Sequence, residues 1–414
     1  MRFSALKILT EGLSGNKGWA PHWRNPEPKA EYDAIIIGGG GHGLSTAYYL
    51  AKNHGLTNIA VLEKGYLGGG NIGRNTTIVR ANYFLPGNSE FYSHSLKLWE
   101  GLEDELNFNV MHSQRGIINL FHSDGARDAA ARRGNAMINQ GDDAILLDRD
   151  GVRKLLPYLN YEQERFPIYG GLYHKRGGTA RHDAVAWGYA RACSAMGMDI
   201  IQNCAVTGIE TEGGAVKAVT TTKGRIETGK LALVVAGHSS ELAAMAGFRL
   251  PIESVALQAL VSEPIEPCMD VVVMANTVHG YLSQSDKGEM VIGGGTDGFN
   301  NYTQRGSFHH VEETVRALVE TFPMLSRLRM LRQWGGIVDM TGDRSPILSK
   351  TPVGGIYVNA GWGTGGFKAI PGSGWAMADL VAKDAPGPLA ADFGLDRFRE
   401  GRFIDESVAA GVAH

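Results

Sequence analysis

Residues 33–63 read DAIIIGGGGHGLSTAYYLAKNHGLTNIAVLE, and the order of residue types along them decides the fold. Ala34 to Ile37 is a short unbroken apolar run, the pattern of a strand buried on both faces of a parallel sheet. Gly38, Gly40 and Gly43 follow in the spacing G-x-G-x-x-G. Leu44, Ala47, Tyr48, Leu50 and Ala51 then recur at helical spacing, and a second apolar run, Ile59 to Leu62, ends on Glu63. Each position has a physical reason. Gly38 permits a tight turn, Gly40 lets the backbone approach a pyrophosphate, and Gly43 lets helix pack on strand. The start of the helix, with Gly41 and His42, presents free N–H groups to phosphates, His42 through its backbone rather than its ring. Glu63, with Lys64 beside it, is placed to accept from ribose hydroxyls. This order predicts a Rossmann-like dinucleotide-binding domain and does not separate FAD from NAD.

Bulk properties narrow the class. A chain of 414 residues is long for a single core and predicts two domains. With 43% hydrophobic and 20% charged residues it reads as an ordinary globular protein. A net charge of −3 supplies no basic field for nucleic acid. Cys193, Cys204 and Cys268 form no metal spacing, and three cysteines suit buried thiols in a reducing compartment. No apolar run reaches the roughly 18 residues of a membrane span. The opening MRFSALKILTEGLSGNKG is too interrupted for a signal peptide, so a cytoplasmic protein is expected.

Three further segments point to a flavin. YLGGGNIGRNTTIVRANY, residues 66–83, is a second glycine-rich turn leading into polar residues. KLALVVAGHSSELAAMAG, residues 230–247, reads as a strand ending at Ala236 and Gly237 before a helix. Near the C-terminus a strand from Ile356 to Asn359 leads through Gly361, Gly363, Gly365 and Gly366 to a helix expected near Pro371. A second glycine-rich loop and helix far from the first can aim another helix dipole at a flavin's pyrimidine edge. A nicotinamide-binding domain has no need of it.

At these residues the sequence resembles the FAD-dependent D-amino-acid oxidase superfamily, in the branch of sarcosine oxidase, glycine oxidase and dimethylglycine dehydrogenase, from about Tyr32 to Val381. The resemblance implies an α/β plus α+β fold, in which a Rossmann-like FAD-binding domain (32–112, 170–248 and 334–395) is interleaved with a substrate domain (113–169 and 249–333) built on a mixed or antiparallel sheet. An N-terminal extension, 1–31, is expected to make subunit contacts, and 396–414 to form a tail. FAD, held without a covalent bond, is expected against Gly38, Gly40, Gly41, His42, Gly43, Glu63, Lys64, Gly70, Asn71, Arg74, Asn75, Thr76, Thr77, Val206, Ala236, Gly237, Gly361, Gly363, Gly366 and Lys368.

GRNTTIVRANY, GGLYHKRGGTARHD and GWGTGGFKAIPGSG together narrow the likeness to the β subunits of heterotetrameric sarcosine oxidases. That implies an FMN bound covalently to His174, with Lys175 and His182 nearby, in a glycine-flanked loop that reaches the surface. It also implies α, γ and δ partner subunits carrying NAD, folate and zinc sites; no metal site is expected on this chain. The implied reaction is oxidation of sarcosine to glycine and a one-carbon unit, formaldehyde or methylene-tetrahydrofolate. Electrons pass from FAD to FMN to O2, which leaves as hydrogen peroxide.

The candidate substrate residues are Arg80 and Lys368, and the physical case for them is independent of the likeness. An N-methyl amino acid carries one carboxylate, and a desolvated pocket must supply a matching cation. The residues alone leave open that Arg80 caps a helix and Lys368 is solvated. Tyr281 either lines the pocket or packs in a core. In GEMVIGGGTD, residues 288–297, Val291 is aligned where monomeric relatives carry an oxygen-activating lysine, which predicts electron transfer onward from FAD. SFHHVEETV, residues 307–315, reads as an ordinary helix start with paired histidines, and Asp339, Asp343 and Arg344 as the holders of a turn. The expected function is therefore sarcosine oxidase. The alternatives are a single-chain FAD oxidase or dehydrogenase of another secondary amino acid without FMN, and an electron-transfer flavoprotein subunit without turnover.

Overall fold

The two apolar runs of the glycine motif are neighbouring parallel strands, Ala34–Ile37 and Ile59–Leu62, and every residue in them is buried. They lie inside a six-stranded sheet ordered Ile347–Lys350, Ile356–Ala360, Leu231–Leu233, Ala34–Ile37, Ile59–Leu62, Asp199–Ile201. All neighbours are parallel except the Ile347–Lys350 edge. Continuous apolar strands are stable here because both faces are covered. One face packs under the helices Gly41–His54, Asn88–Leu106, His182–Ala195 and Gly366–Lys383. The other meets Ser239–Met245 and a three-stranded antiparallel sheet spanning Val206–Glu212, Ala215–Thr221 and Gly224–Glu227. This computed structural model describes residues 4–17, 21–278 and 280–405.

A second, eight-stranded mixed sheet is ordered Met330–Thr341, Ile252–Pro264, Glu289–Thr296, Gly280–Gln284, Val272–Ala275, Ile117–Phe121, Gly170–His174, Ile145–Asp148. One face carries a core closed by the helices Arg149–Leu155 and Phe308–Thr321, into which Leu318 and Phe322 are buried. The opposite face, with Ile117, Val272, Met274 and Tyr281, packs against Ile78. Two segments assigned by sequence to the FAD-binding layer, at 170–174 and 334–341, are strands of this second sheet.

The glycine-flanked stretch at 169–178 departs most from expectation. Gly170–His174 is an internal strand, hydrogen-bonded to Ile117–Phe121 on one side and Ile145–Asp148 on the other. Its glycines answer crowding rather than flexibility. A Cβ on Gly170 would stand 2.2 Å from the Leu147 carbonyl oxygen, and one on Gly178 1.9 Å from that of Ser113. His182 opens the helix His182–Ala195, as its position before DAVAWGYARA predicts.

Two further expectations change. The C-terminal helix begins at Gly366 and encloses Pro371, so Lys368 stands in its first turn. Proline removes an i→i−4 bond, and nearby the Lys368 carbonyl instead accepts from Ser95 Oγ and Trp99 Nε1, both at 2.8 Å. Residues 396–405 are tethered rather than a free tail: Arg397, fully buried, pairs with Asp343 at 2.8 and 3.0 Å and donates to the Ser345 carbonyl. Trp23 packs against the chain's own dinucleotide-binding core, with Arg24 N–H donating to Ser194 Oγ and Gln202 N–H to Asn25 Oδ1. Trp19 lies outside the described residues. Cys193 and Cys204 are buried, whereas Cys268 is exposed. Among the described residues no helix is long and apolar enough to cross a membrane, and no cluster of metal-ligating side chains occurs.

Candidate active site

A cavity of about 1260 Å³ runs from the C-terminal ends of the parallel strands to the inner face of the second sheet, the place where open α/β sheets take ligands. At its dinucleotide end the backbone is shaped by the glycines. Gly38 adopts φ +117, and a Cβ there would stand 2.1 Å from the Val234 carbonyl oxygen. A Cβ on Gly43 would stand 1.9 Å from the Gly38 carbonyl oxygen, whereas one on Gly40 would meet nothing within 4 Å. Gly38 and Gly43 are thus closed by their neighbours, and Gly40 opens on the cavity. Glu63 pins the turn, accepting from Gly39 N–H at 3.0 Å and Gly65 N–H at 2.8 Å.

Gly41, His42, Lys64, Gly70, Asn71, Arg74, Asn75, Thr76 and Thr77 line the same cavity, as do Val206, Ala236, Gly363 and Gly366. Asn71 joins the two sheets, its Oδ1 accepting from Ile337 N–H at 3.0 Å. Arg74 folds back on the glycine turn, donating to the Gly70 carbonyl at 2.9 Å. Gly43, Gly237 and Gly361 are not among the lining residues. Gly237 yields space to Ile337, and Gly361, at φ +76, donates its N–H to Asp339. The residues therefore fit FAD: an open glycine cradle, a helix N-terminus beyond it, an acid at the end of the second strand, and a second helix N-terminus at Gly366.

At the far end Arg80 and Lys368 are both buried, at 8% and 4% exposure, which removes the readings of helix cap and solvated side chain. The Arg80 guanidinium donates to Asn82 Oδ1 and lies 5.2 Å from the centre of the Tyr83 ring. Lys368 Nζ meets the Thr364 carbonyl at 3.2 Å and Tyr83 Oη at 3.4 Å. Burial first, and the Arg80 charge second, push the Lys368 ammonium well below its usual pKa. Two cations share a desolvated end of the cavity, so an incoming carboxylate restores electrostatic balance there. Tyr281 lines the cavity and accepts from Thr76 Oγ1 at 2.9 Å. Its ring occupies the space where a Cβ on Gly293 would stand, 1.7 Å from Cζ.

Several cavity residues escape a sequence reading. Gly294, Gly295 and Thr296 line it from the strand Glu289–Thr296, while Val291 does not. The run of glycines inside that strand is the available signal, since a strand glycine marks close approach by another group. Neither that segment nor its neighbour Gln258 brings a cation to the cavity. Asp339 lines it too, its carboxyl pushed up to about 6 by burial against the opposing backbone N–H groups of Gly361, Gly363 and Trp362. The His42 ring, contrary to a purely backbone role, bonds Ser373 Oγ and stacks on Trp362 at 5.0 Å; burial lowers its pKa to about 4. His309 and His310, read as scaffold, also line the cavity.

His174, Lys175 and His182 are not among the lining residues. His174 is 2% exposed, and neither ring nitrogen has a hydrogen-bond partner. Asp143 Oδ1 stands 3.4 Å from its Nε2, and burial outweighs that charge, lowering the imidazole to about 4. The basic residues of the stretch are partly neutralised. Arg176 pairs with Glu100 and Asp142, and Arg181 with Asp183. His174 faces Ile117 across the ladder, on the same side of the sheet as Met274 and Tyr281. Three strand spacings separate it from Tyr281, about 14 Å across the sheet.

Residues 33–380 match the family model described as FAD dependent oxidoreductase. The chain is 64% identical to sarcosine oxidase subunit beta of Rhodobacter capsulatus over 413 residues, covering 100% of both chains. It is 60% identical to that of Rhizobium meliloti, covering 98% of each. Among solved structures, L-proline dehydrogenase from P. horikoshii superposes with a TM-score of 0.85 at 25% identity, over 90% of this chain and 99% of that one. Glycine oxidase from Geobacillus kaustophilus gives 0.80 at 22% identity, over 89% and 99%. The glycine cradle, the buried cation pair and these likenesses meet in one conclusion: the chain belongs to the FAD-dependent oxidoreductase family and, within it, to the sarcosine oxidase β subunits.

Proposed function

We propose that the chain oxidises sarcosine at its N-methyl carbon, giving glycine and a one-carbon unit released as formaldehyde or passed to tetrahydrofolate. The observation that carries the reading is the pair Arg80 and Lys368, two buried cations at the end of a cavity whose other end fits a dinucleotide. They hold the carboxylate, and Tyr281 bounds the site from the second sheet. Bound FAD supplies the two-electron acceptor for the methyl carbon. The chain positions the substrate, excludes water and neutralises its charge. Val291, expected at the place of the oxygen-activating lysine of monomeric relatives, does not line the cavity, and Gly294, Gly295 and Thr296 of the same strand bring no cation to it. This supports passage of the electrons to a second flavin before they reach O2 and form peroxide.

The second flavin is proposed as FMN carried covalently by His174. A buried imidazole with two unpartnered nitrogens fits a nucleophile awaiting a bond, and its sheet face is that of Tyr281. Lys175 and His182 are proposed as further contacts of this FMN. Names of the relatives imply partner subunits, proposed here as α, γ and δ chains with the NAD, folate and zinc sites. Two measurements test the reading. Sarcosine should bleach the FAD absorbance in anaerobic single-turnover experiments, and Arg80→Ala or Lys368→Ala should weaken apparent sarcosine binding 100-fold or more; unchanged bleaching refutes the assignment. A flavin adduct should remain on the peptide containing His174 after denaturation and vanish in His174→Asn. Release of all flavin from the wild-type protein by acid excludes the covalent FMN.

A further inference from the structure

We infer that the buried carboxylate of Asp339 is a fixed negative charge that lowers the reduction potential of the bound FAD, so that electrons taken from the substrate leave this flavin readily. The inference rests on the reading that the flavin ring lies beside Lys368, where the substrate is oxidised.

Gly361, Trp362 and Gly363 turn their backbone N–H groups toward the Asp339 carboxyl, and Gly361 N–H donates to its Oδ2. Gly361 and Gly363 have φ +76 and +50, and left-handed residues in such a turn gather successive N–H groups into an anion-binding concavity. Here the anion is a side chain of the protein itself, 2% exposed. Both segments fix its place along the cavity. Trp362 stacks on His42 at the start of the dinucleotide helix, and the same loop runs on into the helix turn that carries Lys368. Trp362, Gly363 and Lys368 line the cavity, as do Gly336, Val338 and Asp339 from the strand Met330–Thr341. Asp339 therefore stands between the phosphate cradle and the carboxylate end, beside the stretch that the ribityl chain and pyrimidine ring must cross.

A flavin that accepts a hydride gains negative charge on its pyrimidine ring. Lys368, Arg80 and the helix start at Gly366 favour that charge, whereas a carboxylate in the same desolvated space opposes it. Among the described residues no cation pairs with Asp339. Across the ladder it faces Ser254, whose hydroxyl donates to the Gly237 carbonyl. The charged and titratable groups on the elements around it are engaged elsewhere or exposed. His238 meets Glu241 at 3.2 Å, Arg74 donates to the Gly70 carbonyl at 2.9 Å, and Asp343 pairs with Arg397. Glu253 and Arg344 are exposed, and burial keeps His42 neutral. Burial raises the Asp339 carboxyl to about 6, so it is charged at neutral pH, and negative charge on a reduced flavin raises it further. Its effect on the potential is therefore complete above the reduced-state pKa and is lost as pH falls through about 6.

The test uses the assembled, FAD-loaded protein, titrated anaerobically against a reference dye. A parallel titration of His174→Asn, with FAD as its remaining flavin, identifies the FAD couple. At about pH 8.5, Asp339→Asn should shift the ratio of reduced to oxidised FAD at least tenfold toward reduced, a rise of about 30 mV or more for this two-electron couple. At about pH 5 the gap should close to less than about threefold, or about 15 mV. Asp339→Ser, which also removes the charge, should show the same pair of results. A carboxylate that only braced the glycine loop would weaken FAD binding in both variants and leave the potential where it was; that outcome overturns the inference. A potential gap as large at pH 5 as at pH 8.5 overturns it too. If Asp339→Asn fails to hold FAD, Asp339→Ser carries the same outcomes. A wild-type FAD spectrum unchanged by sarcosine and by pyrrole-2-carboxylate would refute the substrate reading instead, and the potential of the bound FAD would still decide the role of Asp339.

Discussion

Two glycine-rich stretches of this chain look alike in sequence and do opposite things in the structure. In 38–43 the glycines at 38 and 43 let strand and helix close on each other, and Gly40 is left facing empty cavity. In 170–178 the missing Cβ atoms are replaced by neighbours: the Leu147 carbonyl at Gly170, the Ile118 side chain at Gly171, Ile117 at Gly177 and the Ser113 carbonyl at Gly178. The first stretch makes a cradle; the second lets a crowded strand bury His174. A glycine cluster therefore announces close approach without saying whether ligand or protein makes it, and only the identity of the nearest atom separates the two.

The largest effect expected from breaking that contrast is at Gly43. A Cβ 1.9 Å from the Gly38 carbonyl oxygen forces the turn and helix apart, and both are backbone that cannot step aside. Gly43→Ala should purify without FAD absorbance and lose on the order of 3–5 kcal/mol of stability, the range of severe core changes. Gly178→Ala carries a clash of the same size against Ser113, outside the cavity. It should lose about 2–4 kcal/mol in chemical denaturation while retaining one FAD per chain. Should Gly178→Ala shed its FAD as Gly43→Ala does, the separation of cradle from packing would collapse.

How much of this was legible depended on whether the signal was local. The strand, glycine motif, helix and acid of 33–63 are dictated by neighbours in sequence, and the structure keeps each in its predicted element. Lys368 and Arg80 could be proposed because a carboxylate demands a buried cation, yet the Lys368 ammonium is covered by Tyr83 and Tyr92, which arrive from a distant segment of the chain. The strand at Gly170–His174 was illegible because its ladder partners come from 117–121 and 145–148, and tertiary pairing overrides the weak strand preference of glycine. His310 was hidden for the same reason. A histidine at a helix start is unremarkable until a strand of consecutive glycines brings the cavity to it.

A smaller effect probes the cation end, where binding rather than folding is at issue. The Lys368 ammonium is held well below its ordinary pKa by burial and by Arg80, and a bound carboxylate raises it again. Carboxylate affinity is then complete below the free-protein pKa and weakens as pH rises through the interval between the free and bound values. Titrating the FAD spectrum with pyrrole-2-carboxylate should show this loss in the wild-type protein. In Lys368→Met, affinity should be lower throughout, with that limb absent. An affinity independent of pH in the wild-type protein would mean that Lys368 stays charged in the empty site.

Gly40→Ala is the mildest change and the most discriminating. Gly40 has φ −80, which alanine adopts without strain, and a Cβ there meets nothing in the protein. Stability of the FAD-free chain should therefore shift by less than about 0.5 kcal/mol, as for substitutions away from packed sites. The same methyl group projects into the space assigned to the pyrophosphate, so FAD affinity should fall about tenfold, read by fluorescence on reconstitution. The two results together distinguish Gly40 from every glycine of 170–178, where any Cβ that harms the protein does so with no ligand present. If reconstitution were unaffected, the pyrophosphate would have to pass elsewhere, and the open space at Gly40 would lose its meaning as a cradle.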